Sequence, residues 1–247
     1  MSNNRHFNRR AFTLIELLAA LAVLSMLVIM LFMAFSNANR MMLLGSNQME
    51  KNQVVRAVLQ QISRDLERTA FSSVGTNIYL ASAAANYIFA SSGISNSTLY
   101  CLSTLTASEG NTNGSAVNVG YQMTYATSSG VSKWFLQRGS DAGAKPPVDW
   151  TTYSPPATFW QPLSDNILGI AFQFYTNADL STPTWPPAAT NMLPTSVGIT
   201  LWVIDSASYN LALTLWSSDS ATAHRILTTN THQYTSRVFL PQSTQNP

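Results

Sequence analysis

A single carboxylate stands at the edge of the most apolar stretch of the chain. Glu16 directly precedes residues 17–35, which contain no charged side chain and only one polar side chain, Ser25. A charge that reaches the centre of a bilayer is disfavoured by about 2.5–3.5 kcal/mol, and by less near the interface. An amine on a neighbouring chain would offset that cost by forming an ion pair. Cleavage between Ala11 and Phe12 would create such an amine one helical turn before Glu16.

The other reactive side chains form no pattern that is typical of catalysis. His224 and His232 lack the His-Glu-x-x-His spacing of a zinc hydrolase. Cys101, the single cysteine, lies in an apolar alternating run and is predicted to be a buried structural thiol. Four acids that fall in or beside predicted loops lack the spacing of a calcium loop and are predicted to be solvated: Asp141, Asp149, Asp165 and Asp179. We therefore predict a protein that is not an enzyme, with no catalytic residue, metal or cofactor.

The charge distribution argues against nucleic acid as a partner. The chain of 247 residues has 13 Lys and Arg against 11 Asp and Glu, and three of the arginines lie in the first ten residues. From residue 71 onward, five basic residues face seven acidic ones. No basic surface of the kind that binds phosphates is expected there.

The apolar stretch is long enough to cross a membrane. At 1.5 Å per residue, a helix over residues 17–35 spans roughly 28 Å, close to the thickness of the hydrocarbon core. The basic leader, with Arg5, Arg9 and Arg10, places the N-terminal end in the cytoplasm and the remainder of the chain outside it. Two alternatives stay open: a plain signal anchor, and an ordinary signal peptide cleaved after Ala38 that releases a secreted β-rich binding domain.

The N-terminal string carries a specific resemblance. Residues 9–18, Arg-Arg-Ala-Phe-Thr-Leu-Ile-Glu-Leu-Leu, followed by the apolar helix, resemble the signal of type IV pilins and type II secretion pseudopilins. The resemblance implies that a prepilin peptidase cuts between Ala11 and Phe12, that Phe12 is N-methylated, and that Glu16 pairs with the N-terminus of an adjacent subunit during assembly. The family usually has Gly where this chain has Ala11. The implied partners are other pilins or pseudopilins, the peptidase and the bacterial inner membrane, with later association in a filament.

A second helical segment is predicted to follow the membrane span. Ser36 to Arg40 marks the exit, and an apolar stripe then recurs at helical spacing up to about Ala70: Val54, Val55, Val58, Leu59, Ile62 and Leu66. A stripe of this width usually packs on a sheet of the same chain. The charges between Arg56 and Arg68, including Asp65, are interpreted as a solvated face.

The remainder of the chain is predicted to be a β-rich domain. Strands are expected over residues 97–105, 117–126, 131–138, 167–176, 197–205 and 234–240, with a hairpin turn at 128–130 and loops over 139–156 and 178–194. Within the ambiguous segment 206–230, Leu211, Leu213 and Leu215 favour a strand and residues 220–227 a short helix. The tryptophans are divided between the core (Trp134, Trp202 and Trp216) and loops (Trp150, Trp160 and Trp185).

The predicted fold class is α+β and pilin-like, with a long N-terminal helix packed on an antiparallel β-sheet domain. The expected segments are a leader (1–11), a membrane and assembly helix (12–36), its amphipathic continuation (37–70) and an exported domain (71–247). Residues 60–67, 167–175 and 193–201 are similar to the J-type minor pseudopilin. We predict a minor structural subunit of a pseudopilus or pilus-like filament, and the length of the chain favours the minor type.

Overall fold

The structure is a computed structural model that describes residues 14–69, 78–81, 94–104, 116–128, 131–141, 155, 157–175 and 194–240. The chain forms two compact units, residues 1–47 and 48–247. One helix, α1 (Leu14–Glu67), runs from the first unit into the second. Its length follows from a composition rich in Leu, Ala and Met without proline. The predicted helix end at Ala70 lies outside the described residues, and Thr69 already pairs with Ser103 as an isolated β-bridge.

The first sheet has five antiparallel strands in chain order. They are β1 (Ile78–Ala81), β2 (Thr98–Thr104), β3 (Ala116–Ser128), β4 (Val131–Asp141) and β5 (Trp160–Ser164). The strands predicted over 97–105, 117–126 and 131–138 are confirmed, whereas β1 and β5 were not expected. Trp160 begins β5 and is half-buried, so its assignment to a loop is wrong. The prediction that a loop starts at residue 139 is wrong, because β4 continues to Asp141.

The second sheet has three antiparallel strands, again in chain order. They are β6 (Ile167–Tyr175), β7 (Ser196–Val203) and β8 (His232–Phe239), and each lies within two residues of its predicted bounds. Two helices connect β7 to β8: α2 (Ser206–Leu215) and α3 (Ser220–Asn230). The predicted helix over 220–227 is therefore confirmed.

The strand interpretation of Leu211, Leu213 and Leu215 is wrong. Asp205 caps α2, because its Oδ1 accepts a hydrogen bond from the Ser208 backbone N–H at 2.8 Å. The buried residues of α2 are Tyr209 and Ala212, three positions apart, as a helix requires. A local cap and two buried residues thus outweigh the alternation of the leucines.

The core lies between the second half of α1 and the strands. Val55, Val58, Ile62 and Leu66 are all buried, which confirms the predicted stripe. They pack with inward residues of both sheets, among them Leu99, Cys101, Val119, Tyr121, Ile170, Ile199 and Leu201. Cys101 is a fully buried free thiol, as expected.

Three tryptophans lie in or against the core, as the sequence predicts. Trp134 is buried, and Trp202 and Trp216 are partly buried against the core, in agreement with the prediction. Trp150, Trp185 and most of the predicted loops lie outside the described residues. Ser128 pairs with Val131 across β3 and β4, as a hairpin turn at 128–130 requires.

Candidate assembly site

The N-terminal part of α1, residues 14–35, exposes its apolar side chains to solvent. From Leu14 to Phe35 the large apolar side chains are 54–76% exposed. The helix is long and apolar enough to cross a membrane. Burial of one such side chain is worth about 1.5–3 kcal/mol. In the described residues nothing covers this surface, so it is suited to contact lipid or other protein chains.

Glu16 lies in the first turn of α1 and is exposed. The backbone N–H groups at a helix N-terminus carry partial positive charge, which favours an acid there by about 0.3–1 kcal/mol. The other two predicted site residues, Ala11 and Phe12, lie outside the described residues. The geometry therefore places Glu16 at the end of the helix nearest to the predicted new N-terminus.

The one polar side chain of the apolar span is satisfied within the helix. The Ser25 hydroxyl donates a hydrogen bond to the Ala22 carbonyl at 2.8 Å. In hydrocarbon an unsatisfied polar group costs several kcal/mol, so a bond within the helix makes serine compatible with lipid or with a helix–helix interface.

The exposed apolar surface extends further than the sequence indicates. Beyond Arg40, the large apolar side chains of residues 41–44 are 62–76% exposed, and Met49 is 63% exposed. The predicted exit from the membrane lies at residues 36–40, and the sequence predicts no role for this methionine- and leucine-rich segment. Burial on α1 begins at Lys51.

A buried ion pair fastens the second half of α1 to the first sheet. Asp65 is fully buried. The Arg138 guanidinium of β4 donates to it twice, from Nε to Oδ2 at 2.7 Å and from Nη2 to Oδ1 at 3.1 Å. The Tyr121 hydroxyl of β3 donates a further hydrogen bond to the same carboxylate. The interpretation of Asp65 as part of a solvated face is therefore wrong.

The spacing along the helix contained the signal for this contact. Asp65 follows Val58 by seven residues and Ile62 by three, so it lies on the apolar stripe rather than beside it. Arg138 shares a face of β4 with Trp134 and Leu136, since alternate residues of a strand point the same way. A charge on each of two apolar faces is the pattern expected of a buried pair.

The cluster raises the pKa of two of its members, Arg138 and Tyr121. Burial lowers the pKa of Arg138, but hydrogen bonds and charge from Asp65 outweigh it and hold that pKa above its ordinary value. Burial, followed by the negative charge of Asp65, raises the pKa of Tyr121 well above 10.0. At neutral pH Arg138 is thus a cation and Tyr121 a neutral phenol that donates to Asp65.

A second set of polar contacts holds the helix nearer its middle. The Glu50 Oε1 accepts a hydrogen bond from Asn166 Nδ2 at 2.8 Å and another from the Ser206 hydroxyl. The Tyr234 hydroxyl of β8 donates to the Asn52 Oδ1 at 3.1 Å. These bonds join α1 to the turn before β6, to the start of α2 and to β8.

The loop acids behave as surface residues where they are described. Asp165 is exposed and forms an ion pair with Lys133. Asp141 ends β4 and is half-buried. Asp149 and Asp179 lie outside the described residues. Within the described ranges, no group of three or more His, Cys, Asp or Glu side chains is placed to hold a metal ion.

Comparison with known proteins bears on the N-terminal helix. The family model for the prokaryotic N-terminal methylation motif matches residues 6–32. The chain thus has a prepilin-type N-terminus followed by an α+β domain, and the predicted resemblance to pilins and pseudopilins is confirmed. The matched range includes Ala11, Phe12 and Glu16.

Among solved structures, the chain is similar to a chain of the GspK-GspI-GspJ complex from the enterotoxigenic Escherichia coli type 2 secretion system. The two are 13% identical, the alignment covers 78% of this chain and 99% of that chain, and the TM-score is 0.39. A search of the curated proteins found no match.

Proposed function

We propose that this protein is a minor structural subunit of a type II secretion pseudopilus or of a type IV pilus-like filament. The observation that carries the proposal is the coincidence of two features. The methylation motif matches residues 6–32, and its described part, residues 14–32, lies where the apolar side chains of α1 are exposed. A helix that is marked for processing and is not buried by its own domain is suited to assembly with other helices.

The mechanism is binding rather than catalysis. A prepilin peptidase cuts after Ala11, and the new N-terminus, Phe12, is methylated and remains a cation. Before assembly the helix crosses the inner membrane once, with the β domain outside the cytoplasm. On assembly it exchanges lipid contacts for contacts with the helices of other pilins or pseudopilins. Glu16 then pairs with the Phe12 amine of a neighbour and sets the axial register of the two helices.

The polar contacts of the second half of α1 complete this mechanism. The bonds to Asp65, Glu50 and Asn52 tie the helix to both sheets and to α2. The β domain therefore follows the helix when the helix takes its place among its neighbours. The narrower J-type assignment remains a prediction.

Glu16→Ala tests the ion pair directly. We expect the variant to insert into the membrane normally but to be absent from filaments, because its helix cannot neutralise the amine of the adjacent subunit. Glu67→Ala is the matched control, since Glu67 is an exposed acid at the other end of the same helix. Normal incorporation of Glu16→Ala, measured by cross-linking to other subunits, would contradict the mechanism.

The N-terminus of the protein from membranes separates this proposal from its rivals. Mass spectrometry should show a chain that begins at N-methylated Phe12. A chain that begins at Asn39 would indicate the secreted binding domain, and one that retains residues 1–11 would indicate a plain membrane anchor.

A further inference from the structure

One turn of α1 beyond the predicted membrane span is apolar on all sides. Residues 41–44, Met-Met-Leu-Leu, are 62–76% exposed, and within the described residues nothing covers them. An α-helix has 3.6 residues per turn, so four consecutive side chains point in all directions around its axis. A helix that is apolar all round is normally buried within protein or within a membrane. This turn therefore requires apolar surroundings on every side, which one partner strand or one helix face would not provide.

Lipid does not provide these surroundings while the apolar span lies in the bilayer. Residues 17–35 already cover roughly 28 Å, close to the full thickness of the hydrocarbon core. Met41 lies six residues after Phe35, or about 9 Å further along the helix. Entry of the turn into hydrocarbon would also bring in Arg40 and two asparagines, all of which are disfavoured there. In the membrane-inserted subunit the turn thus lies in water or among lipid head groups.

Contact with other helices affects the two apolar lengths of α1 differently. On assembly residues 17–35 exchange lipid for apolar helices, and this exchange carries little hydrophobic gain because lipid tails are as apolar as leucine. Residues 41–44 exchange water for apolar helices, which is favourable in proportion to the apolar area removed from water. An equilibrium shifts only by the difference in interaction between its two states. Among the apolar parts of α1, this turn therefore distinguishes the assembled subunit from the membrane-inserted one.

We propose that residues 41–44 pack among the apolar helices of neighbouring filament subunits, and that this burial favours the filament over the membrane-inserted subunit. The inference rests on the proposed function, which supplies the neighbouring helices. The partner surface is the uncharged, exposed length over residues 17–35 of another subunit. Methionine suits such a contact, because its unbranched side chain adapts to irregular apolar surfaces.

The accessibility of a cysteine in the turn tests this burial in intact cells. Cys101, the single native cysteine, is fully buried, so an introduced cysteine is the one that reacts with a membrane-impermeant maleimide. Met42→Cys should react in cells that lack the prepilin peptidase, where the subunit stays in the membrane, and should be protected in cells that assemble the filament. Protection without the peptidase would place the turn in lipid, and equal reactivity in both kinds of cell would leave it in water. Either result would overturn the proposal.

Two further cysteines are the matched controls. Thr229→Cys, at an exposed position of α3, should react in the peptidase-deficient cells, which shows that the reagent reaches the exported domain. Val28→Cys, within the membrane span, should be protected in both kinds of cell, first by lipid and then by helices. A change from reactive to protected on assembly is thus expected at Met42 and not at Val28.

A pair of leucine variants measures how much the turn favours assembly. Leu43→Ala should lower the ratio of filament-incorporated to membrane-retained subunit by about tenfold, since the burial of Leu43 is gained only in the filament. Leu24→Ala is the matched control, because Leu24 is similarly exposed but exchanges lipid for helices. Its ratio should change by less than about threefold. Equal losses at both positions, or no loss for Leu43→Ala, would overturn the role of the turn.

A photo-crosslinking amino acid at Val28 of the full chain separates this inference from the proposed function. The apolar span should form adducts with other subunits wherever filaments assemble, whatever the role of residues 41–44. Adducts from Val28 together with a reactive Met42→Cys would overturn the inference on residues 41–44 alone. Absence of adducts from Val28 in filament-assembling cells would overturn the proposed function as well.

Discussion

At the scale of single residues, the Asp65 carboxylate sets how α1 meets the first sheet. Burial of an unpaired carboxylate costs several kcal/mol, and the paired state compensates only when the geometry is good. Here the Arg138 guanidinium is bidentate and Tyr121 supplies a further donor. A shift of the helix along the sheet would break these bonds, so the cluster favours the observed position of the helix.

Asp65→Asn should destabilise the protein strongly. Removal of the carboxylate leaves the Arg138 charge, whose side chain is only 19% exposed, without its partner, and we expect a loss of about 3 kcal/mol in the free energy of unfolding. Asp165→Asn breaks the surface ion pair with Lys133, in which the Asp165 side chain is 53% exposed. This variant should lose less than about 1 kcal/mol in the free energy of unfolding. Urea unfolding of both variants in detergent, followed by tryptophan fluorescence, measures the difference. Equal losses would mean that the buried pair has no special role.

Tyr121→Phe should alter stability in alkali. Folding raises the pKa of Tyr121 well above 10.0, chiefly through burial and the charge of Asp65. The unfolded chain therefore loses this proton first, and the stability that the hydroxyl confers is lost as pH rises above about 10. Phenylalanine has no proton to lose. The variant should be less stable at neutral pH but show a shallower fall above pH 10 in thermal unfolding; an unchanged slope would contradict the assignment.

At the scale of elements, a row of aromatic residues and glycines across the first sheet explains why the short strand β5 joins that sheet. Tyr79, Tyr100, Gly120, Gly139 and Trp160 are successive partners across the five strands. The two glycines leave a trough on this face of the sheet, and the rings that fill it belong to Phe159, which is buried, and Trp160. Aromatic rings that cover strand glycines restore the packing that glycine lacks. Packing of the Phe159 and Trp160 rings thus stabilises the short strand β5 in addition to its hydrogen bonds to β4.

Gly139→Ala should disrupt this row. A Cβ at this position would overlap the Phe159 ring, which has little room to move. We expect a loss of about 1–3 kcal/mol in the free energy of unfolding, typical of overpacking. Gly45→Ala is the control, because a Cβ there meets no atom within 4 Å and alanine favours a helix. Comparable losses at both positions, measured by urea unfolding, would contradict the role of the trough.

At the scale of the whole molecule, α1 joins two different environments. Its first length exposes apolar side chains, whereas its second half buries a stripe and an ion pair within the β domain. Residues 1–11 contain three arginines and no acid, and they alone make the net charge of the chain positive. Without them the chain has 10 basic and 11 acidic residues.

Processing should therefore be visible as a change of charge. The precursor has a formal charge of +2 and a pI near 8.8. Removal of residues 1–11 changes the formal charge to −1, so isoelectric focusing should show the mature protein on the acidic side of the precursor. Inhibition of the peptidase should restore the basic form. A mature protein that focuses with the precursor would count against cleavage after Ala11.

Local patterns in the sequence were sufficient for much of this architecture. The apolar run with Glu16, the stripe on α1 and six of the eight strands follow from periodicities of 3.6 and 2, which depend on neighbouring residues alone. The short strands β1 and β5 carry too few residues to establish a period. The leucines of α2 alternate as in a strand, and the cap at Asp205 decided otherwise.

The sequence by itself determined the prepilin-type N-terminus, the long helix and its apolar face, since each of these depends only on residues that are close together in the chain. The tertiary structure alone decided the division into two sheets and the burial of Asp65. The pair between Asp65 and Arg138 joins residues 73 positions apart. Whether a carboxylate on an apolar stripe is solvated or paired depends on which strand reaches it, and that is fixed only when the sheet has formed.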